Sequence, residues 1–97
     1  MTYQIDNIEL MDPIYSVYIR WNPFNSKDFK SYCAESLCNL FGFNASLSVK
    51  IVYEAIELKR ALVYFCGDVK QAVKVRNQLL ALGINSIISK SSFKEKV

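Results

Sequence analysis

Two strand-like runs of this chain place rings, guanidinium groups and apolar side chains on a common side. In Ile14 to Trp21, alternation sends Tyr15, Val17, Ile19 and Trp21 to one face and Ser16, Tyr18 and Arg20 to the other. In Arg60 to Cys66 it sends Ala61, Val63 and Phe65 inward and Arg60, Leu62 and Tyr64 outward. A surface of two tyrosines, two arginines and an apolar centre suits single-stranded RNA or DNA, because rings and guanidinium planes stack on bases while cations meet phosphates. In that reading Tyr18 stacks and Arg20, Arg60 and Lys50 contact phosphate. The same residue types are enriched at protein interfaces. In the alternative reading Tyr18, Leu62 and Tyr64 form an anchor patch for a helix, a partner sheet or a second copy of the chain, so a homodimer is one partner it allows.

Catalytic groups are scarce. The chain has no histidine, which removes the commonest general acid or base near neutral pH. The carboxylates Asp28, Glu35, Glu54, Glu57 and Asp68 are dispersed apart from Glu54 and Glu57, which read as a solvated turn. Three glycines with no phosphate-cradling spacing exclude the common nucleotide loops. Cys33, Cys38 and Cys66 are odd in number and lack CxxC spacing, so they are expected as reduced structural thiols rather than a disulfide framework or zinc site. No enzyme activity, metal or cofactor is expected.

The bulk properties fit a small binding domain. With 97 residues, 52% of them hydrophobic, the chain suffices for one modest core. A net charge of +3 permits a polyanionic partner without demanding one. The longest apolar run, Ala61 to Cys66, is strand-sized, and the start Met-Thr-Tyr-Gln-Ile-Asp lacks a signal peptide's basic and apolar segments. No membrane partner is expected, and the location expected is intracellular, cytoplasmic or nuclear, rather than secreted. Asn44-Ala45-Ser46 matches a glycosylation acceptor but reads as a helix-exit turn.

The positioning elements follow from periodicity. Residues 1–13 read as an arm or an edge strand, and Ile14 to Trp21 as the first strand. After a turn at Asn22-Pro23 and an N-cap at Ser26, a helix from Lys27 to Phe41 carries Phe29, Tyr32, Cys33, Leu37, Leu40 and Phe41 at steps of three and four. Gly42 ends it. Leu47 to Ala55, rich in Val, Ile and Tyr, reads as a second strand joined through a hairpin at Glu54 to Lys59 to the third, Arg60 to Cys66. Asp68 with Gln71 resembles a capping box opening a second helix, stopped by Gly83 before a fourth strand, Ile84 to Lys90. The endings Gly42-Phe43-Asn44 and Gly83-Ile84-Asn85 are near-repeats, as two copies of one β-α-β unit would give. The order βαββαβ predicts a ferredoxin-like α+β sandwich over residues 14–90, a four-stranded antiparallel sheet in spatial order 4-1-3-2 with two helices on one face, and a basic tail over 91–97.

Two family resemblances accompany this reading. Val17-Tyr18-Ile19-Arg20-Trp21-Asn22-Pro23-Phe24 leading into a helix with Asp28 in its first turn resembles the opening of RNA recognition motif domains. Arg60-Ala61-Leu62-Val63-Tyr64-Phe65, followed by Asp68 and Ala72, is similar to that family's second signature. The resemblance implies RNA binding across the sheet, with Tyr18 at a stacking position and Arg60 and Leu62 where the family carries aromatic residues. Family members lacking those aromatics often bind proteins instead. Tyr15-Ser16-Val17 and Phe41-Gly42-Phe43-Asn44-Ala45 resemble, more weakly, SPOR-type peptidoglycan-binding domains, which implies glycan binding.

Overall fold

A computed structural model describes residues 13–23 and 25–91. Of the expected arm (1–13) and tail (91–97), residues 1–12 and 92–97 lie outside them, and Ser91 is the last residue of a strand rather than part of a tail. The elements are β1 (Ile14–Arg20), α1 (Asp28–Phe41), α2 (Ala45–Leu58), β2 (Arg60–Cys66), α3 (Val69–Ala81) and β3 (Ser86–Ser91). The fold is α+β, as expected, but among the described residues it has three strands and three helices rather than four and two. The antiparallel sheet runs β2-β1-β3, which is the expected order with the second strand missing.

That strand is helix α2, and the reason lies in its first residues. Gly42, left-handed at φ 75°, ends α1 and donates its N–H to the Cys38 carbonyl. Two residues later Asn44 adopts an extended backbone, and its side chain accepts a hydrogen bond from the Leu47 N–H at 2.8 Å. This is a helix N-cap. Beyond it Ser48, Ile51, Val52 and Ala55 are buried at helical spacing, while Leu47, Val49 and Tyr53 remain exposed. Cap and stripe together outweigh the strand preference of Val, Ile and Tyr. No hairpin follows; α2 continues to Leu58, and Lys59 at φ 75° turns the chain into β2. The two near-repeated endings therefore diverge: Gly42-Phe43-Asn44 joins two helices, whereas Gly83-Ile84-Asn85 leads from α3 into β3.

The other caps differ in detail. Asp68 caps α3 by accepting from the Lys70 N–H at 3.0 Å. Ser26 is not the N-cap of α1, which begins at Asp28 with no side-chain cap; its carbonyl accepts from the Phe29 N–H instead.

The core lies on one face of the sheet. Val17 and Ile19 of β1 and Ala61 and Val63 of β2 are buried with Ile51, Val52 and Ala55 of α2 and Ala72, Val75 and Leu79 of α3. Helix α1 packs on α2 and adds Cys33 and Leu37. The fully buried Ser48 hydroxyl accepts the Cys38 thiol at 3.2 Å, so α1 and α2 share a polar contact with a partner. A ring series, Trp21–Phe29–Tyr32, joins the end of β1 to α1, and the Tyr32 hydroxyl donates to the Leu82 carbonyl. Among the described residues the opposite sheet face carries no helix.

Asn44→Ala removes the α2 cap and is expected to cost about 1 kcal/mol, lowering the melting midpoint by roughly 4–8 °C in thermal denaturation. An unchanged midpoint would show that the side chain does not cap the helix.

Candidate interaction surface

The register of β1 against β2 determines which side chains reach the open face. Arg20 lies opposite Arg60, Ile19 opposite Ala61 and Tyr18 opposite Leu62. The next pair is Val17 with Tyr64, so Val63 is one residue in excess: a β-bulge. Beyond the bulge the alternation of β2 inverts. Val63 is buried, Tyr64 shares the helix side with Val17, and Phe65 emerges on the open face opposite Ser16 with 63% of its surface exposed. Tyr64 is accordingly a correction to the alternation reading. Its ring packs against the core, stacked on Phe41 at 6.2 Å between centroids. Phe65 takes the outward place assigned to it.

The remaining expected residues divide into two groups. Tyr18, Arg20, Arg60 and Leu62 meet on the open face as alternation requires. The Arg60 guanidinium carbon lies 4.4 Å from the centroid of the Tyr18 ring, a cation–π contact. Lys50, expected on a strand, stands on α2. The strands themselves carry only positive charge, Arg20, Arg60 and Lys90, with no Asp or Glu.

Beside this face, between α2 and β2, is an open groove of about 630 Å³. Its helix side is made by Phe43, Leu47 and Ile51, its strand side by Leu62, Val63, Tyr64 and Phe65, and its charged members are Lys50 and Glu54. The volume is within the usual range of ligand sites, and the lining is mostly apolar with few polar groups. The lining rings Phe43 and Tyr64 both stack on Phe41, at 5.1 and 6.2 Å between centroids, so Phe41 backs an aromatic wall of the groove. Among the described residues β2 is an edge strand, paired on one side only. The groove exists because α2 occupies the place of a fourth strand. Phe43, Leu47 and Phe65 were not among the expected site residues. The signal for Leu47 was the Asn44 cap that starts a helix at that point; no residue pattern signalled the bulge. A smaller concavity of about 190 Å³ lies between α1 and α2, where Lys30 approaches the exposed Tyr53 ring at 5.6 Å.

Among the described residues no cluster of three or more His, Cys, Asp or Glu could hold a metal, and no helix is long and apolar enough to cross a membrane. The three cysteines are free thiols. Burial pushes the Cys33 thiol up to about 11, because the interior disfavours its thiolate.

Tyr64→Ala is expected to destabilise the fold by about 1–2 kcal/mol through lost packing, whereas Phe65→Ala stays within about 0.5 kcal/mol; chemical denaturation of the two variants checks the face assignment. Equal losses would contradict the bulge. A thiol reagent at pH 8 should leave Cys33 unmodified in the folded chain and modify it on unfolding. Its modification at the rate of an unfolded thiol would show that the side chain is not enclosed.

No family model matches the chain, and no curated protein matches its sequence. Among solved structures it is similar to Agrobacterium tumefaciens ClpS2 bound to L-phenylalaninamide, with a TM-score of 0.61, 11% sequence identity, and coverage of 84% of this chain and 100% of that one. At that identity the likeness is one of fold.

Proposed function

We propose that this chain is a non-enzymatic protein-interaction module of the adaptor kind, taking an apolar side chain of a partner polypeptide into the groove between α2 and β2. The observation that carries this reading is the groove itself: an aromatic-walled, largely apolar concavity beside a strand edge, with Leu47, Leu62 and Phe65 exposed around it. Isolated exposed apolar residues are ordinary, but a contiguous patch around a concavity marks an interaction site. Filling it with one Phe or Leu side chain contributes roughly 1.5–3 kcal/mol. The neighbouring strand edge can add main-chain hydrogen bonds to an extended peptide. The ClpS2 structure of similar fold holds an aromatic amino-acid amide, which supports an aromatic side chain as the ligand chemistry.

The sheet face is less well furnished for nucleic acid than alternation suggests. Tyr64 faces the core, and one face of the Tyr18 ring is covered by the Arg60 guanidinium. Base stacking would rest on Phe65 and on displacing Arg60. The protein reading is therefore preferred.

Titration of the isotope-labelled chain with L-phenylalaninamide at millimolar concentration tests it by NMR. Amide shifts are expected at Phe43, Leu47, Leu62 and Phe65, and they should be lost in Leu47→Glu. The proposal fails if the groove does not respond while a mixed-sequence single-stranded oligonucleotide shifts Tyr18, Arg20 and Arg60 with a steep decline from low to physiological salt.

A further inference from the structure

The charge beside the groove points to what else the partner carries. Arg20 and Arg60 sit directly across β1 and β2 from each other, both exposed. Like charges in that position destabilise a sheet. Among the described residues neither has a carboxylate across the sheet, because β1, β2 and β3 contain no Asp or Glu. The Arg60 guanidinium is laid over the Tyr18 ring, which holds it above the open face. Arg60 and Leu62 occupy alternate positions of one strand and share that face, and Leu62 also lines the groove. The cationic pair and the apolar groove are thus one continuous surface, with Leu62 as the join.

We infer that the partner segment is acidic as well as apolar: an extended polypeptide whose apolar side chain enters the groove near Phe65 and whose carboxylates meet Arg20 and Arg60. This rests on the groove reading proposed above and adds the charge of the partner and its direction along β2. Arg60 and Phe65 are five residues apart on the strand, which at about 3.3 Å per residue is roughly 16 Å. A partner segment of five or six residues spans that distance in extended form. Two carboxylates neutralise a pair that, among the described residues, has no acid of its own on the sheet, so the surface selects against basic segments as well as for acidic ones.

Fluorescence anisotropy of the full chain with labelled synthetic peptides tests the inference. Each peptide has a central Phe-Leu; two carry Glu-Glu about five residues to one or the other side of it, the spacing from Phe65 to Arg60, and two carry Lys-Lys in the same places. One acidic peptide is expected to bind ~5-fold or more tighter than its Lys-Lys counterpart. That preference should vanish in Arg60→Glu, a variant that leaves Arg20 opposite a carboxylate and so relieves rather than adds cross-strand repulsion. Phe65→Ala should weaken acidic and basic peptides alike. If acidic and basic peptides bind within twofold of each other and both weaken in Phe65→Ala, the charge inference fails and the groove reading stands. If no peptide binds, both fail. Binding of a single-stranded oligonucleotide that displaces the acidic peptide and depends on Arg20 and Arg60 would overturn the inference in favour of a nucleic-acid partner. Proton–proton contacts from the chain's own residues 1–12 to Leu62 would overturn it in favour of an intramolecular occupant.

Discussion

Val63 is the residue on which the two sides of this sheet depend. It has no partner in β1, yet it is buried against the helices. A strand that keeps strict alternation would have to expose either Val63 or Tyr64. The bulge buries Val63, turns the half-buried Tyr64 toward the core and returns the next side chain, Phe65, to solvent. One extra residue thus gives the core an aromatic ring, stacked on Phe41, and gives the open face another. The groove follows from the same event, since Leu62, Val63, Tyr64 and Phe65 form its strand wall. Interior packing and exposed surface are set together, which is why a bulge beside a candidate site reads as a positioning device rather than an irregularity.

Helix α2 is the second constraint. Two β-α-β units would have closed the sheet with a fourth strand against β2. Capped by Asn44, residues 45–58 instead form a helix that lies on β2, leaving among the described residues a strand edge beside an apolar concavity. Natural edges are usually shielded by charge, bulges or covering elements. Here the bulge and Arg60 lie within β2 itself, and Lys50 and Glu54 flank the concavity from the helix. These features leave the edge charged and bulged rather than flat.

Much of this was legible in the residues, and the failures have physical causes. Strands β1, β2 and β3, helices α1 and α3, both glycine exits and the Asp68 cap follow from periodicity and capping chemistry. The second strand did not survive because Val, Ile and Tyr speak for a strand only weakly, whereas Asn44 followed by apolar residues at 48, 51, 52 and 55 specifies a buried helical stripe. Of the expected surface, Tyr18, Arg20, Arg60 and Leu62 are together because they precede the bulge in register; Tyr64 and Phe65 are exchanged because they follow it. No glycine or turn residue marks a bulge at Val63, so alternation could not reveal the inversion. The resemblance to RNA recognition motifs rested on the order of residues in β1 and β2, and those two strands do lie side by side. The four-stranded sheet expected from the order of elements is not formed among the described residues.

Arg60 is the residue whose energetics remain to be weighed. Its cation–π contact with Tyr18 is worth about 0.5–1 kcal/mol at an exposed site. Repulsion from Arg20 across the strands is of similar size and opposite sign, since like cross-strand pairs are unfavourable by a few tenths to about 1 kcal/mol. The two nearly cancel, so Arg60 adds little to the stability of the free chain. A carboxylate arriving beside Arg20 and Arg60 offsets the repulsion and leaves the cation–π contact in place. It also meets a guanidinium already held in position over Tyr18, so less side-chain freedom is lost on binding than for a free surface arginine. The arrangement is near neutral when empty and favourable when an anion is present. A pair serving the fold alone would gain more from opposite charges at these positions.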